Sequence, residues 1–174
     1  MKILILYSST DGQTKNISYK IQEILSYKND VELFPIEGSI GLDLRSFSKI
    51  IIGASIRYGK HKPEVYNFIK MNKQILNETK NAFFSVNVVA RKKEKNTPQT
   101  NPYIKKFLKI SNWKPDIIDV FAGKVDYPSY GFFDKYIIRL IMFMTSGPTD
   151  ITKSYEFTDW IKVENFAKKL DLVS

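Results

Sequence analysis

The chain has no cysteine and a single histidine, His61. The first absence excludes disulfides, thiolate nucleophiles and cysteine-ligated iron–sulfur clusters. The second excludes a multi-histidine metal site and bis-histidine haem ligation within one chain, so no metal site is expected. Any redox work must then fall to an organic cofactor. No stretch offers about 20 uninterrupted apolar residues, so no membrane-spanning helix is expected. The N-terminal run Ile3-Leu4-Ile5-Leu6 is too short for the core of a signal peptide and reads as a buried strand. Two nucleotide-binding signatures are missing as well. There is no G-x-G-x-x-G for a dinucleotide pyrophosphate, and no Walker lysine before a Ser or Thr.

Acidic residues are also short in supply. Twenty-seven Lys and Arg face 18 Asp and Glu across 174 residues, a formal net charge of +9. Such a surface suits anionic lipid, acidic metabolites or nucleic acid. The lysines are scattered and no reader motif accompanies them, so no nucleic-acid partner is expected. With 43% hydrophobic and 26% charged residues, the composition is that of a folded chain with one full core.

Apolar runs alternate with helical patterns. Lys2–Tyr7, Val31–Ile36, Lys49–Ala54, Ala82–Val89 and Asp116–Ala122 read as strands. The first is continuous in Ile and Leu, as a strand covered on both faces should be. Ile17, Ile21, Ile24 and Leu25 recur at helical spacing. Pro63 opens a second helix, Tyr103–Ile110 reads as a third, and Trp160, Val163, Phe166, Ala167 and Leu170 mark a closing helix. Arg91–Thr100 is polar and reads as a loop. Strands separated by helices imply a parallel sheet. Five of them suggest a single doubly wound, flavodoxin-like α/β domain over residues 1–174, with strand order 2-1-3-4-5. An apolar helical insertion, about residues 124–147, follows strand five.

Strand one runs straight into Ser8-Ser9-Thr10-Asp11-Gly12-Gln13-Thr14 and a helix. Hydroxyls, a glycine and the free N–H groups of a helix start make a seat for a terminal phosphate at the carboxyl edge of the sheet. Ser9, Thr10, Asp11, Gly12, Gln13 and Thr14 are the candidate phosphate loop. After strand three come Ala54, Ser55, Ile56, Arg57, Tyr58 and Gly59. After strand four come Ser85, Val86, Asn87, Val88, Val89, Ala90 and Arg91. Both loops leave the same sheet edge, where this fold clasps an isoalloxazine ring, so FMN is the expected cofactor. Tyr58 is placed to stack on the ring. Arg57 or Arg91 is placed to offset charge on the reduced flavin. His61 lies between Lys60 and Lys62 and reads as a solvated loop histidine whose pKa the flanking charge depresses.

The insertion carries the least ordinary pattern. Phe133, Tyr136, Ile137, Leu140, Ile141 and Met144 follow helical spacing, while Phe132, Ile138, Met142 and Phe143 widen the apolar face. Lys135 and Arg139 form a narrow basic stripe one turn apart. A helix over 132–144 is about 20 Å long, too short for a hydrocarbon core of about 30 Å. It suits a helix lying in a membrane interface, a lid over a greasy substrate, or a piece of the domain's own core.

Together these stretches resemble the flavodoxin-fold, quinone-dependent protoporphyrinogen IX dehydrogenases of bacteria. The resemblance runs along essentially the whole chain. It rests on Ser9–Thr14, Ile52–Gly59, Phe84–Lys92, Thr97-Pro98-Gln99-Thr100-Asn101, Tyr136–Met144 and Thr158-Asp159-Trp160. It implies bound FMN, removal of six hydrogens from protoporphyrinogen IX in three two-electron turnovers with hydride passing to flavin N5, and reoxidation by a membrane quinone, menaquinone or ubiquinone. It further implies haem biosynthesis at the cytoplasmic face of the inner membrane, with peripheral attachment to an anionic surface. No catalytic acid or base is indicated. A flavodoxin-type electron carrier and an NAD(P)H-dependent quinone reductase are the alternatives, and the oligomeric state is open.

Overall fold

The computed structural model describes residues 1–172. Five strands form one parallel sheet: β1 (Lys2–Ser8), β2 (Asp30–Pro35), β3 (Lys49–Ser55), β4 (Lys80–Val86) and β5 (Ile117–Phe121), in the order β2-β1-β3-β4-β5. Register follows from apolar alternation on a sheet buried on both faces. Ile3 and Ile5 of β1, Ile51 of β3 and Phe84 and Val86 of β4 point to one side. Leu4, Leu6, Ile50, Ile52 and Phe83 point to the other.

Helices α1 (Gln13–Leu25) and α6 (Trp160–Leu172) cover the first side, with Ile17, Ile21, Val163, Phe166 and Leu170 inward. Helices α2 (Pro63–Met71), α3 (Lys73–Glu78) and α4 (Pro102–Ser111) cover the second. Pro63 and Pro102 stand in the first turns of α2 and α4, where the missing N–H costs nothing. Gly53 is required by packing. A Cβ there would lie 2.1 Å from Cζ of Phe84, so only glycine lets that ring cross β3.

The strand expected over 82–89 stops at Val86. Asn87 turns the chain, and Val88–Arg91 forms a single 3-10 turn whose Ala90 N–H is held by the Asn87 side chain at 3.2 Å. The Arg91–Thr100 loop starts at the last residue of that turn and holds a second one over Lys93–Lys95.

The insertion after β5 contains helix α5 (Phe132–Met144), flanked by β6 (Lys124–Asp126) and β7 (Ser154–Glu156), which pair antiparallel. Beneath it lies a small third core of Val125, Tyr127, Tyr130 and Met142, with Val88, Ile138 and Phe157 against it. Helix α5 is not a core element. Met142 alone along it is buried, while Phe132, Phe133, Phe143 and Met144 are each at least 70% exposed.

Candidate functional site

The sheet's carboxyl edge ends in a cleft whose floor and walls come from four segments. At one end, β1 passes into the candidate phosphate loop. Gly12 has φ +85°, a left-handed conformation open to glycine at little cost, and its N–H donates to Ser9 Oγ at 3.1 Å. This turn aims the start of α1 into the cleft, where the first N–H groups of a helix lack intrahelical partners. Thr14 is 1% exposed, and among the described residues its Oγ1 has no hydrogen-bond partner, as is also true of the neighbouring Ser8 Oγ. A buried hydroxyl left unpaired beside free helix N–H groups suits an anionic ligand. Ser9, Asp11, Gln13 and Thr14 line this end, whereas Thr10 and Gly12 shape the loop without lining the cleft.

The two remaining loops stand opposite. Ser55, Ile56, Arg57, Tyr58 and Gly59 face Val86, Asn87, Val88 and Val89 across the cleft. Ile56 N–H donates to Val86 O at 2.9 Å and joins the two walls. Arg57 and Lys60 pair through both backbone bonds around Tyr58 (φ +49°) and Gly59 (φ +78°), a tight two-residue turn of the kind that needs positive φ at both centres. For an aromatic residue that backbone is uncommon. The Tyr58 hydroxyl is held by hydrogen bonding to Asp134, and its ring by the Arg57 guanidinium 5.1 Å away.

Ala54 and Ser85 lie beneath the cleft, both fully buried, and Ala90 and Arg91 fall behind it. Arg91 therefore departs from expectation. Its guanidinium donates to Val88 O at 3.0 Å and to Thr145 O at 2.7 Å, capping the end of α5. It is spent on structure, and burial pulls its pKa down.

Arg57 is central. It reaches Asp11 in the phosphate loop and Asp134 on α5, both at 2.7 Å, and lies between the rings of Tyr58 and Tyr130. Burial works against its charge, and Asp11 with Asp134 more than restores it. Burial pushes the Asp11 carboxyl upward against the pull of Arg57. The Tyr130 phenol, buried beside them, is pushed up to about 12.

His61 also corrects the expectation. It is 3% exposed, not solvated, with Phe83 and Phe107 rings 5.6 and 5.5 Å from its own. Burial, more than nearby Lys106, lowers its pKa to about 4.

The insertion closes the cleft. Tyr130, Ile138, Ile141 and Met142 form a wall, joined by Gly123, Lys124 and Val125, with Tyr103 from α4. Of the six residues at helical spacing, only Ile141 turns to the cleft. Phe133, Tyr136, Ile137, Leu140 and Met144 look outward at 79, 44, 45, 59 and 75% exposure, and Arg139 is exposed beside them with Lys135 half-buried. Apolar residues on all sides of α5 left the period silent about which side faces inward. Tyr130 and Asp134 went unnoticed for want of any local motif. The insertion's far end is fastened by Gln13, whose Nε2 donates to Glu156 and Thr158, each at 2.9 Å. Among the described residues no helix is long and apolar enough to cross a membrane.

A family profile described as a flavodoxin domain matches residues 4–152. Flavodoxin 1 of Bacillus cereus superposes with a TM-score of 0.60 at 15% identity over 100% of both chains, and flavodoxin 2 of that organism with 0.54 at 20% over 98% of both. These establish the fold, and the fold family implies a flavin. Protoporphyrinogen IX dehydrogenase (quinone) of Escherichia coli strain K12 is 43% identical over 171 residues, 98% of this chain and 94% of that one. The protein of the same name from Leishmania major is 44% identical over 168 residues, 95% of this chain and 73% of that one. A cleft built on a flavodoxin sheet, an insertion that walls it, and likeness along almost the entire length agree: the chain belongs to the flavodoxin-fold family of quinone-type protoporphyrinogen IX dehydrogenases, which are flavin oxidoreductases.

Proposed function

We propose that this protein binds FMN and oxidises protoporphyrinogen IX to protoporphyrin IX, passing the electrons to a membrane quinone, menaquinone or ubiquinone. The observation that carries the reading is a cleft with a phosphate seat at one end and an apolar wall from α5, whose outer face is itself apolar and exposed. Thr14 Oγ1, Ser9 and the free N–H groups at the start of α1 hold the phosphate. A single phosphate seat without a pyrophosphate fingerprint favours FMN over FAD. Ile56 to Gly59 and Val86 to Val89 flank the ring. When bound, FMN supplies the two-electron chemistry that three turnovers of the porphyrinogen require.

The protein's part is binding, orientation and exclusion of water. Ile138, Ile141 and Met142 offer an apolar surface to a flat, greasy macrocycle. Arg57, neutralised by Asp11 and Asp134, ties that surface to the phosphate loop. His61 stays neutral and sealed from the cleft, so it is not assigned proton transfer. The outward residues Phe133, Tyr136, Ile137, Leu140 and Met144, with Lys135 and Arg139, suit an anionic bilayer surface. Such a face supports peripheral attachment at the cytoplasmic side of the inner membrane, where a quinone is at hand.

The test is anaerobic incubation of flavin-loaded protein with protoporphyrinogen IX and a menaquinone analogue. Porphyrin fluorescence should appear only when both are present. Quinone reduction driven by NAD(P)H, without porphyrin formation, would replace this reading with that of a quinone reductase. Flavin that reduces and reoxidises but never yields porphyrin would make the protein an electron carrier.

A further inference from the structure

His61, Ser85, Asn87 and Asn101 are each at most 4% exposed and joined in one hydrogen-bonded chain. Burying four polar side chains is costly unless every donor meets an acceptor. Here each polar side-chain atom has a partner, and the bonds run in one direction. Asn87 Oδ1 accepts from Ala90 N–H and Asn101 Nδ2, each at 3.2 Å, which turns the Asn87 amide nitrogen toward Ser85 Oγ at 3.3 Å. Ser85 Oγ accepts that bond, and among the described residues its other side-chain partner is His61 Nε2 at 3.0 Å, the acceptor left for its own proton. A neutral imidazole accepting at Nε2 carries its proton on Nδ1, which faces the Tyr66 hydroxyl at 3.4 Å. Phe83, Phe107 and Tyr66 rings surround the imidazole, and burial among them keeps it uncharged.

The other end of the chain shapes the cleft. Asn87 is the cap of the Val88–Arg91 turn, and Asn87, Val88 and Val89 form one wall. Asn101 caps α4 by accepting from Tyr103 and Ile104 N–H, at 3.1 and 3.3 Å, so the turn and the helix share an anchor. His61 does not line the cleft. We propose that His61 is a positioning residue for that wall: its Nε2 accepts the Ser85 hydroxyl, which locks the Asn87 amide and holds the 87–91 turn in the shape that receives the flavin ring. This rests on the FMN reading above.

The experiment compares His61→Phe, which keeps an aromatic ring against Phe83 and Phe107 but cannot accept a bond, with His61→Gln, which can. Dissociation constants for FMN and for riboflavin are measured by quenching of flavin fluorescence, and amide exchange at Ala90 is followed on flavin-free protein. His61→Phe should weaken FMN and riboflavin by the same factor, about tenfold, as loss of one buried hydrogen bond at the ring wall implies. Ala90 exchange should quicken, and His61→Gln should restore both. A loss confined to FMN would place the effect at the phosphate loop and overturn the proposal. So would a His61→Gln protein as weak as His61→Phe, or unchanged riboflavin binding and Ala90 exchange in His61→Phe. Should His61→Phe fail to fold, Ser85→Ala carries the test, with the same matched loss expected and its absence decisive. If the wild type binds neither flavin, the cofactor reading falls, and unchanged Ala90 exchange in the variants then overturns the role of His61 separately.

Discussion

The Arg57 guanidinium spans from Asp11 in the phosphate loop to Asp134 on the insertion helix, 2.7 Å from each carboxylate. The loop proposed to seat the phosphate and the wall proposed to face the substrate are thereby fixed to one planar cation. Lysine carries the charge but not the fork. Arg57→Lys should therefore retain one carboxylate and release the other. Quinone-dependent porphyrin formation should fall about tenfold, the scale of one charge-assisted hydrogen bond, with flavin still bound. Flavin content by absorbance and activity by fluorescence, measured on one preparation, check this. Unaltered turnover would mean that the pose of α5 does not depend on Arg57.

Thr14 supplies a second test. Its buried Oγ1 lacks a partner among the described residues, and a phosphate would provide one. Thr14→Val should weaken FMN by about ten- to a hundredfold, because hydrogen bonds to charged groups contribute about 1.5–3 kcal/mol. Riboflavin binding should not change. FAD should bind the wild type more weakly than FMN does. Equal losses for FMN and riboflavin would remove Thr14 from the phosphate seat.

The outward face of α5 predicts attachment that depends on lipid charge and salt. Each cation near an anionic bilayer is worth about 1 kcal/mol, screened as ionic strength rises. Wild-type protein should float with vesicles containing phosphatidylglycerol and release in high salt. Lys135→Glu with Arg139→Glu should abolish flotation at low salt, and Phe133→Ser with Phe143→Ser should weaken it at any salt. A charge-reversed protein that still floats would move the attachment site elsewhere.

Acid stability should report His61. Its pKa is about 4 when folded against an ordinary value of 6.5, so the unfolded chain binds the extra proton between those limits. Stability therefore rises with pH through that window, is complete above about 6.5, and is lost as pH falls toward 4. The full contribution is about 3 kcal/mol at one decade of pH per 1.36 kcal/mol. Melting temperatures from pH 7.5 to 4.5 should fall more steeply for wild type than for His61→Gln. Parallel curves would mean that the imidazole is not sealed as described.

Removing residues 128–146 and bridging the ends with a short Gly/Ser turn should leave the sheet folded, since neither of the two large cores draws a residue from that stretch. Porphyrin formation should drop steeply. FMN should bind more weakly, because Arg57 loses Asp134 and the cleft loses Tyr130. Circular dichroism, flavin titration and porphyrin fluorescence separate these outcomes. Collapse of the whole fold would make α5 part of the core.

What could be read from the chain followed from local chemistry. Strands buried on both faces are runs of Ile and Leu, and the readings Lys2–Tyr7 and Lys49–Ala54 each fall one residue short of β1 and β3. The bounds of α5, Phe132 to Met144, emerged from its period. The turn from β1 into α1 followed from hydroxyls and a glycine between strand and helix. Long-range facts stayed hidden. Val88 and Val89 prolong the apolar run of β4, yet the Asn87 cap bends them into the cleft wall. His61 stands between two lysines, and two of the rings that bury it, Phe83 and Phe107, come from far along the chain. Arg91 looked free because its partner, Thr145, lies 54 residues away. Strands β6 and β7 have three residues each, too few to show alternation.

The insertion's fastenings have a kinetic consequence. Arg57 to Asp134 closes a loop of 77 residues, and Gln13 to Glu156 one of 143. Both wait for the sheet's loops to exist, so the insertion docks late in folding. What docks late with a small core of its own also opens early, as a sub-global unit less stable than the domain. Each opening bares a helix already rich in phenylalanine, isoleucine and methionine to water, and hence to other copies of itself. Proteolytic nicking should begin between Tyr127 and Ser154 while the sheet still resists, and a surface that shelters α5 should suppress both cleavage and aggregation. The membrane would then act as a chaperone for the element that finds it.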